Sequence, residues 1–266
     1  MTDNGQKAYH PPDLRHALIA AALAAYEDAG LSGLCVEGRW EAAVDAMRRV
    51  ELETRDPVQA LSASVSGVVS AVADATAAPP GGGAVAAGAG ALAAALTQMV
   101  AGLTAGRPKY AHVAAEMQHA ADRASTLAAE LTDLVRRDAT AFEAVSVAYR
   151  LPKGTGEAAS MRAAAIERAM LPATQSPLKI ARAAADVAEL AANVAEHGNS
   201  NAVADAAVAV LLAEAACRAA AVTVRVNAPA LRDAHTATTL ASEAVAHSDR
   251  AAKATARAMA AVERTA

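Results

Sequence analysis

The sequence predicts an all-α fold, an antiparallel helical bundle with one long helix at about 109–151 and an N-terminal helical extension. Three observations predict it. Alanine dominates a chain that is 54% hydrophobic but only 2% aromatic, and alanine is the best helix former because it loses no side-chain entropy on folding. Apolar residues recur at three- and four-residue spacings over long stretches, the period of a buried helix face. β-Branched residues come only in short runs inside that pattern, so no strand is predicted. A core of Ala, Val and Leu then requires helix backbones to approach one another closely.

The elements follow from helix start and stop signals. Pro11-Pro12-Asp13 opens a first helix that ends near Gly30. A second runs from about Glu37 to Glu53, with Trp40, Val44 and Met47 on one face. Asp56-Pro57 opens a third, reaching about Ala77, before the turn Pro79-Pro80-Gly81-Gly82-Gly83. A fourth continues to Gly106 and is stopped by Arg107-Pro108. The long fifth helix, from Lys109 to Leu151, carries the stripe Val113, Met117, Ala120, Ala124, Leu127, Leu131, Leu134, Phe142, Val145 and Tyr149. Pro152-Lys153-Gly154 ends it, and separate helices are predicted at 156–171 and 177–197. Gly198 stops the latter, and Ser200 is placed to cap a helix reaching Val226. A polar, alanine-rich helix fills 231–264. Composition divides the chain into an extension of unknown role at 1–56, which holds the one Trp, and an alanine-rich bundle at 57–266.

The totals exclude several functions. A net charge of −4 and few aromatics argue against a nucleic-acid partner or an anionic membrane surface. Residues 75–106 carry no charge, a spanning length, but the Pro-Gly turn breaks them and Ala and Gly fill them, so a buried helix is expected and no membrane. Cys35 and Cys217 stand far apart without a CxxC, which fits free thiols in a reducing cytoplasm. The N-terminus lacks the layout of a signal peptide. The seven histidines show no metal-ligand spacing, and His112 and His119 fall on a polar face, so no metal is expected. No GxSxG elbow or dinucleotide fingerprint appears.

Two aspartates break the apolar pattern. Asp138 lies four residues after Leu134 and four before Phe142, on one helix face. A charge there is either paired, with Arg136, Arg137 or another cation, or used. Asp205 is the one charged residue between His197 and Glu214, on a face with Val208 and Leu212. It either stabilises a first helical turn or joins the loop Gly198-Asn199-Ser200-Asn201, at a helix start with free amides, in holding a ligand. The triple glycine is a poor phosphate loop, since no GxxxxGK[ST] is present. It suits close approach of the backbone to a flat ligand or another helix. Lys109-Tyr110 and Lys153 follow helix breaks, where lysines are either solvated or available to a carboxylated ligand.

The order of these motifs carries a resemblance. Pro80-Gly81-Gly82-Gly83, Met99-Val100, Gly106-Arg107-Pro108-Lys109-Tyr110, Asp138-Ala139-x-Ala141-Phe142, Tyr149-x-Leu151-Pro152-Lys153, Ser176-Pro177-Leu178, Gly198-Asn199-Ser200-Asn201 with Asp205, and Val226-Asn227-Ala228 resemble, in that order, the methenyltetrahydrofolate cyclohydrolase and formiminotetrahydrofolate cyclodeaminase family over about 58–235. The Tyr149–Lys153 and Val226–Ala228 wording is similar to stand-alone cyclohydrolases. The resemblance implies hydrolysis of 5,10-methenyltetrahydrofolate to 10-formyltetrahydrofolate, with cyclodeamination or folate binding without turnover as alternatives. It implies Asp205 as general base and acid, Asp138 as its electrostatic partner or pterin anchor, Asn199 and Asn201 as positioning residues, and Lys109 and Lys153 at the glutamate tail. Gly81, Gly82, Gly83, Tyr110 and Asn227 complete the implied substrate site. It further implies a homodimer with pockets near the interface, a folate substrate, and no cofactor. Ala84, Ala204 and Thr223 depart from the family, which has Gly or Ser, Ser or Thr, and Asn there; each change shortens or removes a polar group.

Overall fold

A computed structural model describes residues 12–49, 57–74 and 80–265, and among them every regular element is helical. The helices are α1 (Pro12–Leu31), α2 (Val36–Arg49), α3 (Pro57–Ala73), α4 (Gly82–Ala105), α5 (Ala114–Arg150), α6 (Glu157–His197), α7 (Val203–Asn227) and α8 (Ala234–Thr265). Pro11, Glu53, Asp56, Ala77 and Pro79, invoked above as helix signals or bounds, lie outside the described residues. Two compact units divide between Gly67 and Val68, inside α3, whereas the composition shifts at 56.

In the first unit α1 and α2 form a helical hairpin. Gly33, at φ +81°, lets the chain leave α1 through paired bonds, Leu34 N–H to Ala29 O (3.0 Å) and Gly33 N–H to Gly30 O (3.1 Å), the glycine-dependent helix ending. Arg39 then ties α2 to α1. Its guanidinium lies 4.0 Å from the centre of the Tyr26 ring, and its Nε donates to Tyr26 O at 3.1 Å. Trp40 meets the same ring edge-on and remains exposed with Val44.

The second unit is the bundle. α4 packs on α5 and α7, and α6 packs on α5, α7 and α8. Its largest fully buried side chains are few, among them Met117, Leu127, Leu131, Ile180, Val187 and Val210. Alanines fill the space between them, as at Ala87, Ala93, Ala184, Ala188, Ala213 and Ala251, so close backbone approach replaces side-chain bulk. A Cβ at Gly90 would stand 3.2 Å from Leu131 and 3.6 Å from Ala216, which marks the α4–α5–α7 contact. Arg250 holds α8 to α6 with a fork onto Glu189 (2.8 and 2.9 Å) and a bond to Asp186 (2.8 Å).

Two expectations change. The helices predicted at 156–171 and 177–197 are one 41-residue helix, α6, running through Pro172 and Pro177. Pro177 lacks the N–H that would bond Ala173 O four residues back. Asn227 Nδ2 donates to that carbonyl instead, at 2.8 Å, so the helix continues. The long helix begins at Ala114 rather than Lys109, because Pro108–Tyr110 form a separate 3-10 turn. In addition, α4 and the stretch Ser200–Ala230 that contains α7 are long and apolar enough to cross a membrane, and about half of the most apolar part of each is buried inside the bundle.

Candidate functional site

Asp138 is buried beside the start of α4, at 8% exposure. The two nearby arginines do not reach it, since Arg136 and Arg137 both pair with Asp133. Its surroundings come from α4 and α6. Gly81, at the α4 N-cap, offers no side chain to the first turn, and the Ala84 N–H bonds the Asp138 carboxylate. Asp138 thereby caps α4 from a distance, with its charge at the positive end of that helix. A Cβ on Gly83 would lie 2.5 Å from Asp138 Oδ2, so glycine here makes room for the carboxylate. Nothing lies within 4 Å of a Cβ at Gly81 or Gly82; of the three glycines, only Gly83 is demanded by space. Burial pushes the Asp138 carboxyl above its ordinary range, while Ser176 and the Ala84 amide oppose that shift. The Ser176 hydroxyl is itself buried and makes no hydrogen bond of ordinary geometry, so it is near enough to favour the carboxylate without being aligned on it.

Tyr110, Asn199 and Asn201 gather at the opposite end of α4. Thr104 accepts the Asn199 N–H at 2.9 Å and donates back to Val100 O at 2.8 Å. Asn199, also buried, accepts from the Asn201 N–H at 3.2 Å and from the Tyr110 hydroxyl at 3.5 Å. The Ser200 N–H reaches Tyr110 Oη at 3.1 Å, and the two hydroxyls lie 3.3 Å apart. These bonds from Ser200 lower the Tyr110 phenol from its usual value, with Lys109 adding to the effect. Lys109 Nζ stands 5.3 Å from the Tyr110 ring centre. Ser200 is therefore part of a 3-10 turn locked to Tyr110, and the Asn199 side chain, not Ser200, caps it. Asp205 follows in the first turn of α7 and is exposed. Its stripe is apolar as expected, yet Val208 is exposed too, so this face is not the core of the single chain.

The remaining candidates divide. Lys153 is exposed in the loop after α5. Arg162 closes that loop by donating to Leu151 O and Tyr149 O, both at 3.2 Å. Asn227 spends its amide on the carbonyl freed by Pro177. His112 and His119 are exposed, as expected. Among the described residues no cluster of three or more His, Cys, Asp or Glu is placed to hold a metal ion. The sequence reading missed Thr104 and took Ser176 only as a helix start; each is a small hydroxyl inside an alanine-rich run, with no local signal of its use.

Residues 64–246 match the family model for formiminotransferase-cyclodeaminase. The methenyltetrahydrofolate cyclohydrolase of Methylorubrum extorquens is 46% identical over 160 residues, 60% of this chain and 77% of that protein. The formimidoyltransferase-cyclodeaminase of Mus musculus is 35% identical over 149 residues, 56% of this chain and 27% of that protein. The crystal structure of formiminotetrahydrofolate cyclodeaminase from Thermotoga maritima aligns with a TM-score of 0.65 at 26% identity, over 80% of this chain and 98% of that one.

Proposed function

The chain belongs to the formiminotransferase-cyclodeaminase family, and from that premise we propose that it hydrolyses 5,10-methenyltetrahydrofolate to 10-formyltetrahydrofolate. The observation that carries this reading is the 46% identity over most of a cyclohydrolase. In the reaction water attacks the carbon of the cationic N5–C–N10 unit, and Asp138 takes one water proton. The resulting carbinol collapses: the C–N5 bond breaks, Asp138 returns its proton to N5, and the hydroxyl proton leaves to solvent. A carboxyl moved upward by burial suits a group that must accept and return a proton near neutrality. For that reason the base is assigned to Asp138, and Asp205 becomes the electrostatic partner of the cationic substrate. Lys109, Lys153, Asn199 and Asn201 hold the folate in this scheme, and no step passes through a metal or nucleotide.

The reading carries a homodimer in the cytoplasm. The exposed apolar faces of α4 and α7 support a second copy, and the free thiols Cys35 and Cys217 support a reducing compartment. The likeness to the Thermotoga maritima cyclodeaminase favours cyclodeamination as the second reading. Loss of the methenyl absorbance band, followed with purified protein against a no-enzyme control, is the test. A rate proportional to protein supports the cyclohydrolase. A rate equal to background, with ammonia released from formiminotetrahydrofolate, replaces it with the cyclodeaminase. Background in both assays leaves a folate-binding protein without turnover.

A further inference from the structure

Four serine and threonine side chains are buried among the described residues, and one of them behaves differently. Thr97, Thr104 and Thr174 each donate to the carbonyl four residues back, at 2.8 Å, the ordinary resting place of a hydroxyl inside a helix. Ser176 has the same kind of local acceptor, the carbonyl of Pro172, and does not use it. Its Oγ is sealed from solvent, in a residue 7% exposed, with no hydrogen bond of ordinary geometry. A buried hydroxyl without a partner costs stability, so its place on α6 needs another reason. That reason is within reach: the Ser176 hydroxyl already acts on the Asp138 carboxylate.

No charged side chain among the described residues shares the task of managing that carboxylate. α5 packs against α4 and α6. α4 carries no titratable residue. On α6, Arg168, Lys179 and Arg182 are exposed, and Glu167 pairs with Arg232. On α5 itself, Asp133 pairs with Arg136 and Arg137, and Glu143 is exposed. The Ala84 N–H is a fixed donor, which favours the ionised form alone. A hydroxyl differs from it, because it rotates and can either donate or accept.

Resting on the cyclohydrolase reading, we propose that Ser176 is a positioning residue for Asp138: its hydroxyl donates to the carboxylate before the water proton arrives and turns to accept from the carboxyl once it has. Both protonation states then keep a partner in a place closed to solvent. A cation instead of Ser176 would hold the carboxylate ionised and oppose uptake of the proton. Alanine instead would leave the carboxylate on the Ala84 amide alone, free to turn about its last side-chain bond. Hydrogen bonds that serve a reaction are often long in the empty site and tighten around substrate, which accounts for the loose geometry between Ser176 and Asp138.

The test compares Ser176→Ala with the wild type in the full chain, by methenyl hydrolysis across a range of pH. In the variant kcat is expected to fall by about tenfold, the worth of one hydrogen bond to a charged group, with KM unchanged. The acid limb of the profile should move to higher pH, because the ionised carboxylate has lost a donor. An active wild type matched by Ser176→Ala in both rate and limb would overturn the role of Ser176 and leave the cyclohydrolase reading standing. A second measurement does not need turnover, so it decides the contact even if that reading fails. Urea midpoints of the two proteins are taken at pH 4 and 8. Loss of the donor raises the cost of the ionised carboxylate in the folded state, a cost present at high pH and lost as the carboxyl gains its proton. Ser176→Ala should therefore unfold at lower urea than the wild type at pH 8, and the gap should narrow at pH 4. An equal gap at both pH values, or a variant more stable than the wild type, would show that the hydroxyl does not serve the carboxylate.

Discussion

The two ends of α4 keep their polar groups under opposite conditions. At the start, Asp138 is buried, without a cation among the described residues, and held by the Ala84 amide. At the finish, Tyr110, Asn199 and Ser200 satisfy one another, while the carboxylate of the region, Asp205, faces solvent. One end stores a carboxyl displaced upward by burial; the other stores geometry. Standing on an apolar stripe does not by itself ready an aspartate for proton transfer. Removal from water does, because it penalises the charged form.

Neutralising the buried carboxyl tests that distinction most strongly. Asp138→Asn is expected to lower the rate by about 10²–10⁴, the usual worth of a general base. Stability should move the other way. The folded pKa of Asp138 is raised above the unfolded value of 3.8. Between those two values the folded state binds more protons, so stability falls as pH rises through that window. The ionised group thus costs stability at neutral pH, and Asn, which still accepts the Ala84 N–H, removes that cost. Urea midpoints at pH 4 and 7 and the pH–rate profile check both parts. The wild-type rate should fall as acid protonates Asp138. Asp138→Asn with full rate, or with a much lower midpoint at pH 7, would remove the contrast between the ends.

A smaller effect separates the glycines. Gly83→Ala puts a Cβ 2.5 Å from Asp138 Oδ2, so the carboxylate or α4 must shift, at about 1–3 kcal/mol. Gly82→Ala enters open space at the start of α4 and should hold or raise stability by up to ~1 kcal/mol, the helix preference of Ala over Gly. Guanidinium midpoints of the two variants give the comparison. Equal midpoints would mean that Gly83 does not shape the Asp138 pocket.

Much of this was legible in the chain. Four-residue spacing exposed Asp138 as an anomaly among Leu134 and Phe142, and the Pro-Gly turn marked the start of α4. Their meeting was not legible, because it joins positions far apart in sequence through the antiparallel return of α5. The apolar stripe of Asp205 was also visible. Periodicity reports that a face is apolar, not whether this chain covers it, so the exposure of Val208 could not be read. The hydrogen bonds of Tyr110 to the Asn199 turn depend in the same way on a connection of about ninety residues.

Pro177 shows the sharpest limit, and it yields the smallest prediction. Locally, Ser176-Pro177 signals a helix start, and that rule fails because Asn227, at the far end of α7, replaces the missing bond to Ala173 O. Asn227 lies at the Asp138 end, so its role decides whether that end holds another substrate group or a structural strut. Asn227→Ala should cost about 1 kcal/mol, the net worth of one hydrogen bond, with KM unchanged. In a Pro177→Ala background, the residue at 177 regains an N–H for the same carbonyl. The cost of Asn227→Ala should then shrink by about 0.5–1 kcal/mol, the coupling typical of residues sharing one partner. If the cost is the same in both backgrounds and KM rises instead, Asn227 holds folate, and the buried end of α4 is more a binding pocket than a proton store.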